Sequence, residues 1–221
     1  MRPIMTCGAL AGWMICCTAA LAANPATQNN GADSDSIQMT HTPEPDASTP
    51  RGALHAADLA IRKGGIDAAM AFYHTTSVRD REIARCLAQA DVACGHLEDA
   101  LVQKFGRASA DTALHAFGAK VGSDLDAADV TIERNTAVIH WPHDDQPLHM
   151  VKSGGDWKVE VAAELASLDE HQVTDFAEFL KHFAVAADRL ADQVTAGRLA
   201  TEQAATDACQ HERQLLVRND K

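Results

Sequence analysis

The sequence predicts an α+β fold: N-terminal helices, a four-stranded antiparallel β-meander, then two C-terminal helices. Three observations carry this. Two long stretches repeat apolar residues at spacings of three and four, one on each side of a strand-rich centre. Between them, apolar residues alternate with polar ones in four short runs. Turn residues separate those runs at regular intervals.

Residues 1–22 read as a signal peptide. Arg2 is the only charged residue there, Ile4 to Leu21 is uncharged, and Ala20-Leu21-Ala22 offers the small-x-small pattern of a cleavage site after Ala22. The alternative is an uncleaved anchor, which would be the chain's only membrane contact. A lipid anchor fits less well, because Cys7 follows Thr6 and Cys16 follows Ile15. The expected location is therefore outside the cytoplasm, periplasmic or extracellular. Residues 23–52 are rich in Asn, Ser, Thr, Asp and Pro and bury too little to offset ordering entropy, so a disordered linker is expected.

Leu54–Lys63 predicts a short helix stopped by Gly64-Gly65, with a second over Ile66–His74. The stripe Ile83, Leu87, Ala90, Cys94, Leu97, Leu101 and Phe105 predicts one long amphipathic helix over about 80–105, ended by Gly106. A short helix over Ala108–Phe117 follows. Near the end, Val173, Phe176, Leu180, Phe183, Ala187, Leu190 and Val194 repeat the seam, with Gly197 as the stop. Thr201 caps a last helix carrying Ala205, Cys209 and Leu216. The two seams are expected to pack on each other. Phe179 and Val185 lie off the second seam, and their exposure would point to a partner surface.

The strands are Val130–Glu133, Thr136–Trp141, Leu148–Lys152 and Trp157–Val161. Pairing Glu133 with Thr136, Pro142 with Pro147 and Lys152 with Trp157 collects ten residues on one face: Val130, Ile132, Ala137, Ile139, Trp141, Leu148, Met150, Trp157, Val159 and Val161. In that register the opposite face carries the row Asp129–His140–His149–Glu160. Facing residues on adjacent strands lie about 5 Å apart at Cβ, so two imidazoles with flanking carboxylates form a candidate zinc site. His143, Asp144 and Asp145 at the rim would extend it. Solvated charge pairing on an exposed sheet face is the other reading of the same row.

The hairpin Gly154-Gly155-Asp156-Trp157-Lys158-Val159, the Ala-rich opening helix, Gly64-Gly65-Ile66-Asp67-Ala68 and Phe72-Tyr73 resemble the nuclear-transport-factor-2-like (SnoaL-like, cystatin-like cone) superfamily. The resemblance covers residues 53–162, leaving 163–221 as a helical extension. It implies a pocket between sheet and helices, used by some relatives for catalysis and by many for binding. The apolar face contains no carboxylate, imidazole or phenol, so the catalytic candidates reduce to Tyr73, His74 and Asp67 near a helix end.

After the first 22 residues the chain carries 18 basic and 31 acidic side chains, net −13, which repels phosphate backbones and excludes nucleic acid as a partner. No Gly-rich phosphate loop, G-x-S-x-G elbow, H-E-x-x-H pair or C-x-x-C occurs. Three cysteines follow the leader. Cys86 and Cys94 are eight residues apart on the long helix, about 12 Å along its axis, so any bridge must include Cys209; three buried thiols are the alternative. The reading that results is a non-catalytic binding or interaction domain for a small molecule or protein, needing no cofactor. A pocket enzyme of isomerase or cyclase type and a divalent-metal binder are the alternatives.

Overall fold

The computed structural model describes residues 46–142 and 146–219. The expected leader and most of the linker lie outside them, as do His143, Asp144 and Asp145. The order is α1 (Pro50–Met70), β1 (Tyr73–His74), α2 (Val78–Phe105), α3 (Arg107–Phe117), α4 (Gly122–Ala127), β2 (Asp129–Glu133), β3 (Thr136–His140), β4 (Leu148–Ser153), β5 (Asp156–Glu160), α5 (Val161–Leu165), α6 (Glu170–Thr195) and α7 (Glu202–Asn219).

Helix α1 starts earlier than the sequence suggests. Thr49 is its N-cap, its side chain accepting from Gly52 N at 3.1 Å, with Pro50 just inside the first turn. The preceding residues are fixed too: Trp157 Nε1 donates to Ser48 O at 2.8 Å. Pro50, Arg51 and Gly52, expected as the end of the linker, thus form the first turn of α1. The expected break at Gly64-Gly65 is present as a kink, where Gly65 takes φ +64°, a conformation costly for a residue with a Cβ.

Tyr73 and His74 depart from expectation. They form a strand, β1, parallel to β5, with Tyr73 opposite Val159 and His74 opposite Glu160. Val159 N bonds to Phe72 O at 2.9 Å, which ends the helix and draws the chain onto the sheet edge. The sheet is therefore mixed and five-stranded, in the order β1-β5-β4-β3-β2. The short helices α4 and α5 were also not expected.

Helix α2 begins with a capping box: Asp80 N donates to Ser77 Oγ at 3.0 Å, and Ser77 N returns to Asp80 Oδ2 at 2.9 Å. It ends at Gly106. Its seam packs along that of α6, and Leu97, Leu101, Phe176, Leu180 and Phe183 are fully buried or nearly so. Phe117 of α3 meets Phe183 with ring centroids 4.3 Å apart. Helix α7 closes this core with Ala205, Cys209 and Leu216; Thr201 Oγ1 accepts from Ala204 N at 3.1 Å, as a capping residue should. Cys86, Cys94 and Cys209 are buried free thiols. Phe179 is buried as well, whereas Val185 is 65% exposed.

A second core lies under the sheet. Ala53 and Leu54 of α1 and Leu125 of α4 pack on Ala137, Ile139, Trp141, Leu148, Met150, Trp157 and Val159. Of the ten residues assigned to the inner face, eight are buried; Val130 is half-buried and Ile132 on edge strand β2 is exposed. The β2–β3 pairing places Glu133 opposite Thr136, and the β4–β5 pairing places Lys152 opposite Trp157, both as expected.

Candidate functional site

The β3–β4 pairing is offset by two residues from expectation. Ile139 faces Leu148 and Val138 faces His149, whereas pairing Pro142 with Pro147 would have set His140 opposite His149. A slip of two residues keeps every side chain on its face, so the apolar pattern does not distinguish the two registers. The row Asp129–His140–His149–Glu160 is consequently not assembled. Asp129 does face His140. His149 instead turns to α5: its N donates to Glu164 Oε1 at 2.5 Å and its Nδ1 lies 2.9 Å from the same oxygen. Burial pushes the Glu164 carboxyl up, partly opposed by the His149 bonds. Among the described residues no group of three or more His, Cys, Asp or Glu is placed to hold a metal ion.

The polar groups that do converge lie where α1, β1 and α2 meet the sheet. A pocket there is lined by Leu54, Ala57, Asp58, Ile61, Ala69, Phe72, Tyr73, Leu87, Asp91, Leu148 and Val159, around a cavity of about 30 Å³. The lining is apolar except for Asp58, Tyr73 and Asp91. Tyr73 Oη donates to Asp91 Oδ2 at 2.5 Å. Burial dominates the titration of Asp91 and pushes its carboxyl up to about 7; the Tyr73 hydrogen bond opposes this and the Asp58 charge reinforces it.

Behind the pocket runs a partly buried charge network, centred on the buried Glu98 and Asp58, that ties α1, α2 and α3 together. Arg62 Nε donates to both Asp58 oxygens at 3.2 and 3.3 Å. The same guanidinium reaches Glu98 Oε2 at 2.7 Å and also contacts Asp99. Glu98, fully buried, receives Arg107 on its other oxygen. Burial raises the Glu98 carboxyl and the two arginines lower it. The neighbouring carboxylates hold Arg62 charged despite its own burial.

Of the three residues named as catalytic candidates, only Tyr73 enters the pocket. His74, its neighbour in β1, alternates to the other side of the sheet, and Asp67 is exposed beyond the α1 kink. Sequence reasoning missed Asp58, Asp91, Glu98 and Arg62. Their signal was present: Asp91 and Glu98 stand one heptad apart on the flank of the α2 seam, and Asp58 and Arg62 are four apart on α1.

No family model, curated protein or solved structure matches the chain. No helix among the described residues is long and apolar enough to cross a membrane.

Proposed function

We propose that the protein is an exported, non-catalytic binding domain, similar in its central part to the nuclear-transport-factor-2-like superfamily, that receives a small ligand in the pocket between α1, α2 and the sheet. The observation that carries this reading is the hydrogen-bonded Tyr73–Asp91 pair set in an apolar wall. A few placed polar groups in an apolar cavity supply orientation, while the walls supply affinity. The cavity's small size favours capture of a ligand of few atoms, or of one group of a larger ligand, over the turnover of a bulky substrate. The test is protein-observed NMR with neutral, cationic and anionic fragments of two to four heavy atoms. Saturable shifts at the amides of Ala57, Tyr73, Leu87 and Val159 are expected. No perturbation there with any fragment class contradicts the reading.

One observation favours a small-molecule enzyme as a second reading: a carboxyl poised near neutral pH in an apolar site is suited to acid–base chemistry. Product signals appearing in the same spectra, and lost in Asp91→Asn, would favour it over simple binding.

A further inference from the structure

We propose that the pocket takes a small organic cation, a primary ammonium group seated against the Asp91 carboxyl beside Phe72 and Tyr73. The inference rests on the pocket being the binding site, and it names the class of ligand.

The first support is the unmet hydrogen-bonding capacity of Asp91. A carboxylate has about four acceptor positions. Among the described residues this side chain receives one hydrogen bond, from Tyr73, although it is buried and lines the cavity. A primary ammonium brings three donors and a charge, the complement such a group lacks. The second support is the local balance of charge. Asp58, Glu98 and Asp99 share Arg62, and Arg107 also reaches Glu98, so two guanidiniums stand among four carboxyl groups once Asp91 is counted. With Asp91 ionised the cluster is net negative, and in a site of low polarity that excess attracts a cation strongly. The third is the walls. Phe72 and Tyr73 offer aromatic surface to an ammonium group, and Leu54, Ala57 and Leu87 accept its hydrocarbon.

The charged and titratable groups facing Asp91 are few. Tyr73 comes from β1 and Asp58 from α1, the latter held by Arg62, while β4 and β5 present Leu148 and Val159. Ammonium binding therefore requires the Asp91 proton to leave, so affinity rises with pH until the carboxyl is ionised.

The experiment uses the full chain titrated with methylamine, followed by the amide signals of Leu87 and Val159 at pH 6, 7 and 8, with methanol as the neutral isostere. The expected result is saturable methylamine binding that tightens about tenfold from pH 6 to pH 8, as one carboxyl titrating near 7 demands. Methanol should bind at least ~10-fold more weakly at pH 8. In Asp91→Asn the methylamine affinity should fall at least ~10-fold and lose its pH dependence. Tyr73→Phe keeps the ring but removes the bond that lowers the Asp91 titration, so the pH midpoint of binding should move up; an unmoved midpoint counts against the proposal. Methanol binding as tightly as methylamine overturns the cation while the pocket reading stands. Neither compound binding, with the other fragments also silent, overturns both.

Discussion

The two halves of this molecule bury very different things. The seam between α2 and α6 is apolar throughout, and Phe117, Phe176, Leu180 and Phe183 fill it. The junction of α1, α2 and the sheet is only a short distance away on the same long helix, yet it buries Asp58, Asp91 and Glu98 and keeps a cavity. One face of α2 thus maximises apolar burial, which stabilises by about 25 cal/mol per Å². The other carries groups whose desolvation costs several kcal/mol each unless paired. Stability is concentrated in the first region, and chemical selectivity in the second.

The largest effect is expected in the filled core. Phe183→Ala leaves a void against Phe117 and should cost about 4 kcal/mol in denaturant unfolding, with no change in the pocket's ligand response. A cost under about 1 kcal/mol would erase the distinction between the regions. Next is Glu98→Ala, which removes the buried carboxylate joining Arg62 to Arg107 while leaving Arg62 with Asp58 and Asp99, and should cost about 2 kcal/mol. Replacing Arg62 and Glu98 together with Met should cost less than the sum of the single changes, because the double variant leaves fewer buried charges unpaired. Additive costs would show that the network is not a coupled unit.

A third effect depends on pH. The Asp91 carboxyl titrates at about 7 in the folded protein and near its ordinary value when unfolded. Between those two values the folded state holds the extra proton, so the stability contributed by this group is full below about pH 4 and is lost as pH rises to about 7. Asp91→Asn lacks that loss. Across the window the stability difference should move steadily in favour of the variant as pH rises, then level off above about 7. A difference that does not change with pH would mean Asp91 titrates normally. The smallest effect is Tyr73→Phe, which removes one hydrogen bond to a carboxyl and should cost about 1 kcal/mol.

The apolar half was legible in the sequence because periodicity reports what a helix buries; both seams were found by it, and Gly106 and Gly197 marked their ends. The strand faces were legible for the same reason. The β3–β4 register was not. A shift of two residues changes which residues are neighbours without changing any residue's face, and the link between those strands is too long to fix it. That ambiguity alone set His140 beside His149. Strand β1 was hidden because two residues show no alternation, and its pairing depends on where the α1 kink delivers the chain. Tyr73 was named as a candidate at a helix end, but its partner Asp91 was not. A carboxylate on the flank of a seam reads as solvated polarity until a third element covers it, and here α1 and β1 do so.

The most direct test is a carbon-detected NMR titration of the Asp91 side-chain carboxyl in the unliganded protein, from pH 4 to pH 9. The account predicts a midpoint near 7, with Tyr73→Phe moving it higher. A midpoint near the ordinary aspartate value of about 3.9 would show the carboxyl to be solvated, and would contradict the buried pocket on which both the binding reading and its cation rest.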